Sequence, residues 1–287
     1  MNSHAAVPRV LPISPDHYRV YFSTRDTHQR SSPAFFEFSP ENPLETSDLS
    51  QSPILPQASL GAFDDSGVMP SCFVQVESEI WMYYVGWNLS VTVPFRNSLG
   101  LAISRDNGLT FERYSRGPVL GANYVDPYFT ASAWVVRQQQ QWVMLYLSCT
   151  EWTRESNQAR HHYLLKSAKS SDGIHWERNG NVAIGFRYDN EYAISAPTIL
   201  IDDGLFKMWY SYRGGPDFET YRIGYAESVD GENWTRKDEE VSLDVSTSGW
   251  DSEMICYPCV FSHNEQVFML YNGNGYGETG IGLARLG

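Results

Sequence analysis

Five groups able to carry or move a proton stand at matching places along this chain: His4, Asp65, Asp126, Glu191 and Glu253. They fall in the blocks "SHAAVPRVL", "DDSGVMPSCFV", "DPYFTASAWVV", "NEYAISAPTIL" and "DSEMICYPCVF", four to seven residues ahead of one proline position, which Ala133 fills in the third block. Asp and Glu before a strand often only cap a turn or meet water. A repeating register changes that reading, because groups far apart in sequence would then meet around one axis. Crowded carboxylates repel, so some hold their protons and others stay ionised. That split supplies a general acid and a general base in one site. Cleavage of a sugar acetal uses such a pair, one carboxyl to protonate the leaving oxygen and one on the opposite face.

The elements that would place these groups are short strands. "RVYFSTR", "WMYYVGW", "VMLYLSC", "KMWYSYR" and "FMLYNGN" align on Val20, Met82, Met144, Met208 and Met269, in steps of 62, 62, 64 and 61. Two residues further on, Phe22, Tyr84, Tyr146, Tyr210 and Tyr271 are all aromatic. A second series, "LAISRDNGLTFERY", "LKSAKSSDGIHWER" and "GYAESVDGENWTRK", sets Asn-Gly or Asp-Gly between alternating apolar flanks. Those dipeptides tolerate the positive φ of two-residue hairpin turns. Repeats of this period, with no sustained helical periodicity, predict an all-β, five-bladed β-propeller over residues 1–287 as a single domain. Each blade is read as four antiparallel strands, with blades opening near His4, Asp64, Asp126, Glu191 and Asp251. The fifth reaches only its third strand in "GIGLARLG", so this blade is read as incomplete.

Composition narrows the functions. A net charge of −13 without a basic cluster argues against nucleic acid or an anionic membrane as partner. No apolar run is long enough for a membrane span, and the N-terminus shows no secretory pattern, so the expectation is a cytoplasmic protein. The four cysteines, including "CYPC" at Cys256 and Cys259, read as buried strand residues rather than a disulfide or metal framework. No phosphate-binding loop or redox motif is present, so no cofactor is expected, and nothing in the spacing demands a metal. In "RHHYLL", His161 and His162 point to opposite faces of a strand and cannot chelate one ion together.

The phrases "FDDSGVMPS", "YYVGWN", "NSLGLAISRDNG", "MWYSYRG", "YRIGYAES" and "GWDSEMICYP" resemble the five-bladed β-propeller glycosidase superfamily, which includes glycoside hydrolase families 32, 43, 62, 68 and 130. Within it, the chain looks most like uncharacterised propeller proteins of bacterial surface-polysaccharide gene clusters. In families 32 and 43 an Asp serves as base or nucleophile, a second Asp orients, and a Glu is the acid. The resemblance implies Asp126, in "YVDPYF", for the second Asp and Glu191, in "DNEYAISAP", for the acid. The slot of the first Asp holds His4. Asp65 or Glu253 then stands in for the missing carboxylate, or His4 acts itself near neutral pH.

The wall of such a site is expected from the fifth residue after each aligned Val or Met: Arg25, Trp87, Cys149, Arg213 and Asn274. Trp faces pack on sugar C–H surfaces and Arg pairs with carboxylate or phosphate. Asp64, Asn88, Tyr221, Arg222 and Asn272 complete the substrate-binding candidates. Arg25 with Arg213 suggests an anionic sugar. The function read from the sequence is a glycoside hydrolase-like enzyme on a bacterial oligo- or polysaccharide. The alternatives are a phosphate-dependent phosphorylase, a non-catalytic glycan-binding propeller, and a sialidase-like protein suggested by "SRDNGLTF". Five repeats rather than six weigh against the last.

Overall fold

A computed structural model describes residues 3–138, 141–155 and 158–286. The regular structure of the chain is almost entirely strand: β1 (Ser3–Ser14), β2 (His17–Arg25), β3 (Ser31–Phe38), β4 (Gly67–Val76), β5 (Glu79–Leu89), β6 (Phe95–Ser104), β7 (Glu112–Arg113), β8 (Thr130–Gln138) and β9 (Gln141–Glu155). The second half adds β10 (Gln158–Ser170), β11 (Val182–Ile184), β12 (Ala193–Asp202), β13 (Leu205–Arg213), β14 (Tyr221–Ser228), β15 (Thr235–Arg236), β16 (Cys256–His263), β17 (Gln266–Asn272) and β18 (Ile281–Leu286). Antiparallel pairing groups them into five meanders: β1–β3, β4–β7, β8–β11, β12–β15 and β16–β18. The first strand of each meander packs on the first strand of the next, and β16 packs on β1, so the five form a ring.

The repeat seen in the sequence is the repeat of the core. Val20, Met82, Met144, Met208 and Met269 are all fully buried on the second strands. Each central strand is covered on both faces, which is why these segments read as apolar runs rather than strict alternations. The hairpin turns fall where expected. Gly108, Gly173 and Gly231 sit at φ of 81°, 76° and 74°, and Ser104, Ser170 and Ser228 accept a hydrogen bond from each glycine N–H through Oγ. These turns staple neighbours together. Tyr21 donates to the Gly108 carbonyl at 2.9 Å and Tyr83 to the Gly173 carbonyl at 2.6 Å.

Two meanders fall short of four strands, the first against expectation and the fifth as the sequence suggests. In the first, the fourth strand is reduced to one bridge, Phe38 to Thr46. The following stretch carries Pro40, Pro43, Pro53 and Pro56, which lack the N–H that a ladder needs. The fifth has three strands, and β18 pairs only with β17 among the described residues.

Every first strand carries a β-bulge, at Ala6/Arg9, Pro70/Cys72, Ala131/Ala133, Ser195/Thr198 and Cys256/Cys259. Val7, Ser132, Ala196 and Tyr257 take positive φ there, a strained setting that re-aims the chain at the ring's centre. Across that centre lies Arg9, buried, with its guanidinium donating to the carbonyls of Ser71 at 2.5 Å, Pro8 at 2.9 Å and Pro258 at 3.0 Å. Asn272 closes the seam between the last and first meanders. Its Oδ1 accepts from Val7 N–H at 2.7 Å and its Nδ2 donates to the Ala5 carbonyl at 2.7 Å. All four cysteines are free and buried. No helix among the described residues is long and apolar enough to cross a membrane.

Candidate functional site

Among the described residues no hydrogen bond joins the acids at the meander fronts to one another. Asp64, Asp126, Glu191 and Asp251 are each bonded inside their own meander. Asp126 is fully buried and accepts from Ser148 at 2.6 Å, Tyr146 at 2.9 Å, Lys166 at 2.9 Å and Arg178 at 3.0 Å. Burial alone would push its carboxyl up, but Ser148, Lys166 and Tyr146 hold it below the usual carboxylate range. Glu191 is gripped by Arg236 through both oxygens at 2.8 Å, and accepts from the Arg187 N–H. Asp64 accepts from Arg113 at 2.7 Å and Tyr84 at 3.1 Å. Asp251 accepts from Tyr271 at 3.1 Å.

These contacts explain the recurrence. Tyr84, Tyr146 and Tyr271, from the aligned aromatic series, each lie 20 residues after the acid that they bind. The cations come from the outer edge, in "FER", "WER" and "WTR". A carboxylate between a tyrosine hydroxyl and a guanidinium joins the second strand of a meander to its outermost segment. Asp126 and Glu191 therefore reach no solvent, which differs from the expectation of a shared open mouth. The cause is distant pairing: their counter-charges lie 40 to 52 residues away and neutralise them individually.

The other predicted groups have partners of their own. Asp65 is half-buried and accepts from the Gly61 N–H and Ser66 Oγ, both at 2.8 Å. Glu253 is exposed, on a loop held at its carbonyl by Thr220 at 2.6 Å and at its N–H by Asn274 Oδ1 at 2.8 Å. Asn274 thus braces that loop. His4 is half-buried, with its Nδ1 2.9 Å from Ser3 Oγ; burial lowers its pKa, Arg25 lowers it further, and Glu278 opposes. Arg25 reaches only Gln29, at 3.4 Å. Trp87 donates to Ser31 Oγ at 2.7 Å, and Asn88 stands half-buried beside it. Arg222 is fixed by Asp244 at 2.8 Å and by the Tyr221 carbonyl at 3.0 Å. Cys149 is buried and its thiol is pushed up to about 12.

Arg213 is different. Its guanidinium carbon lies 5.0 Å from the ring centre of Tyr221, 5.1 Å from Tyr192 and 5.9 Å from Tyr276. Its Nε is buried without a hydrogen-bond partner, and no carboxylate pairs with it among the described residues. Next to it stands His161, which the sequence marked only as half of a pair. His161 stacks on Tyr163 at 4.7 Å and meets Trp152 edge-on at 5.5 Å, and its Nε2 is likewise buried without a partner. Burial, helped by the Arg213 charge, lowers its pKa to about 4, so the ring is neutral at pH 7. His162 turns the other way, with Nε2 3.0 Å from Thr153 Oγ1, as alternation along the strand requires.

The Tyr221 hydroxyl bonds that of Tyr163 and lies 3.5 Å from Ser195 Oγ. These groups come from the third and fourth meanders and from the 274–277 turn of the fifth. Sequence reading missed Tyr163, Tyr192 and Tyr276. One signal was available: Tyr163 and Tyr221 both stand ten residues before a turn glycine. Away from this cluster, Asp16, Glu41 and His263 bring ligand atoms within 4.8 Å of one another, a grouping that the sequence reading did not anticipate.

No family model matches the chain. Two uncharacterized proteins of Mycobacterium tuberculosis, MT1551 and Rv1502, are each 39% identical over 284 residues, covering 99% of this chain and 93% of the relative. Among solved structures, a complex of BT0996 and RGII superposes with a TM-score of 0.79 at 18% identity, covering 100% of this chain and 88% of that one. A thermostable family-43 glycoside hydrolase gives 0.76 at 15% identity, with 99% and 90% covered. The GH32 β-fructofuranosidase BmSUC1 of Bombyx mori gives 0.69 at 14% identity, with 99% and 62% covered. The fold is that of the family 43 and family 32 glycoside hydrolase propellers.

Proposed function

This chain belongs to the same family as the uncharacterized Mycobacterium tuberculosis protein Rv1502, and from that premise we propose a five-bladed, carbohydrate-active propeller that takes an anionic glycan at the recess around Arg213. The observation that carries the reading is the half-buried guanidinium ringed by tyrosines, with an unpartnered Nε and no carboxylate beside it. A buried polar group left open in this way calls for a partner. A sugar carboxylate or phosphate supplies two acceptors in the plane of the guanidinium fork. Tyrosine and Trp152 faces suit the C–H surface of a pyranose. Neutral His161 offers one donor or acceptor to a sugar hydroxyl without adding charge.

The reaction class suggested by the solved neighbours is hydrolysis of a glycosidic bond. For that step, Glu253 is the candidate proton carrier, because it is exposed on a loop bonded to Thr220 beside Tyr221. Asp126 and Glu191 serve as supports in this reading. A second reading, glycan binding without turnover, is favoured by the burial of those two acids in ion pairs.

Titration with uronate-bearing, phosphorylated and neutral oligosaccharides, scored for both affinity and cleavage, tests the proposal. Anionic ligands should bind at least about tenfold tighter than neutral ones, and Arg213→Ala should abolish that preference. Glu253→Gln should remove cleavage and leave binding intact. Equal affinity for neutral and anionic sugars, unchanged in Arg213→Ala, counts against the reading. Binding without cleavage of any ligand selects the second one.

A further inference from the structure

We propose that the fifth meander is an acceptor for one extended segment of a partner polypeptide bearing the pattern aromatic–x–arginine. The argument starts from what the second, third and fourth meanders share. Each carries that pattern on its outer edge: Phe111-x-Arg113, Trp176-x-Arg178 and Trp234-x-Arg236. The arginine turns inward and pairs with the acid at the front of its own meander, Arg113 with Asp64, Arg178 with Asp126 and Arg236 with Glu191, at 2.7 to 3.0 Å. In the second and third meanders the aromatic residue packs on the preceding meander, while Trp234 meets Phe206 of its own. Phe111 meets Tyr21 at 6.2 Å and Trp176 meets Tyr83 at 6.0 Å.

The fifth meander has the matching half of each contact. Asp251 is 4% exposed; its Oδ2 accepts from Tyr271, its Oδ1 has no partner, and no cation pairs with it among the described residues. Asp64 also has an unpartnered oxygen, but it holds its arginine through the other. The register agrees as well. Ala102 and Ala226, which pair with Met82 and Met208 on one side, pair with Arg113 and Arg236 on the other. Ala284 pairs with Met269 in the same way, on β18, whose outer edge pairs with no strand among the described residues.

The third contact is the aromatic seat. Trp209 occupies the position of Tyr21 and Tyr83, one residue after the aligned Val or Met. It lines a groove of about 420 Å³ with Leu200, Tyr225, Val267 and Leu286, between the fourth and fifth meanders. An incoming aromatic side chain would rest there on Trp209, two residues before an arginine aimed at Asp251. Strand addition to an open edge gives main-chain bonds for affinity and side-chain seats for specificity.

The chain's own three patterned strands are already engaged. Two further matches remain: Trp152-x-Arg154 has its Trp packed on His161, and Tyr114-x-Arg116 continues the engaged edge of the second meander, where Tyr114 N–H donates to the Leu101 carbonyl at 2.9 Å. Hence the segment comes from outside residues 3–286, and a second copy of these residues offers no free one.

A labelled peptide of this chain's own Gly108–Ser115, GLTFERYS, which holds the pattern once, is the probe, titrated into the full chain and read by fluorescence anisotropy and by melting temperature. Saturable binding with a raised Tm is expected. Peptide forms with Arg113→Ala or Phe111→Ala should bind at least about tenfold more weakly, and so should the wild-type peptide with Asp251→Asn protein. The peptide variants keep the test sound if the protein variant does not fold. No saturation up to millimolar peptide overturns the proposal. So does binding indifferent to both the arginine and the aromatic residue. Neither result bears on the sugar recess, which involves none of these residues.

Discussion

The front of the third meander and the cluster around Arg213 treat charge in opposite ways. At that front, Asp126 meets four donors from side chains of its own meander, two of them cations. In the recess, Arg213 faces tyrosine rings and leaves its Nε open, and His161 leaves its Nε2 open. A saturated buried ion is a support, because each oxygen has nothing left to offer a ligand. An unsaturated one is a binding element, because its desolvation is only offset when a ligand arrives. We take unmet hydrogen-bonding capacity, rather than acidity and repetition, as the mark of the proposed sugar site.

Breaking the saturated side should cost most. Asp126→Ala leaves Lys166 and Arg178 buried without a counter-charge, and removal of one partner from a buried pair costs about 3–5 kcal/mol. Chemical denaturation should show that loss, and a variant within about 1 kcal/mol of the wild type would mean that the cluster is not a support.

Acid separates the two regions next. His161 is neutral when folded, with a pKa lowered from 6.5 to about 4. The unfolded chain therefore binds more protons in that interval, and stability falls as pH drops from about 6.5 toward 4. At 1.36 kcal/mol per unit, the loss approaches about 3 kcal/mol. His4, also lowered, adds to the same window. Asp126 is shifted the other way relative to its charged form: its contribution is complete above the unfolded value of 3.8 and is lost only below it. His161→Phe should flatten the slope between pH 6.5 and 4 and leave the steeper loss below pH 3.8. A slope unchanged by that substitution would detach His161 from the recess chemistry.

The smallest effect belongs to the open cation. Arg213→Leu removes contacts with three rings, each cation–π contact being worth about 0.5–2 kcal/mol, but also removes a half-buried charge with no counter-ion. The two terms oppose, so the melting temperature should move by no more than a few degrees. A collapse like that of Asp126→Ala would make Arg213 a structural residue instead.

Much of the molecule was legible in the sequence because its determinants are local. The 62-residue step of Val20, Met82 and Met144 reports central strands buried on both faces, and Asn-Gly or Asp-Gly reports hairpin turns whose φ only those residues tolerate easily. Buried cysteines in "CYPC" followed from strand context in the same way. The candidate wall was partly legible too: Arg213 was marked by its fixed offset from Met208. Asn274 shared that offset and Asn272 was a further candidate, but they became a loop brace and a seam clamp, because their side chains found backbone partners first.

The sequence by itself determined the strands, their order and the placement of one acid at each front from the second meander to the fifth. Only the tertiary structure decided which acid of a neighbouring pair turns inward. Asp64 is buried while Asp65 lies half-open, and Asp251 is buried while Glu253 is exposed. At a strand entrance, a shift of one or two residues changes the face on which a side chain lies. The arginine that captures it stands about fifty residues further on, at a distance that no local pattern encodes. The recess depended on the same folding at longer range, since Arg213, His161, Tyr192, Tyr221 and Tyr276 share a place only after successive meanders have closed into a ring.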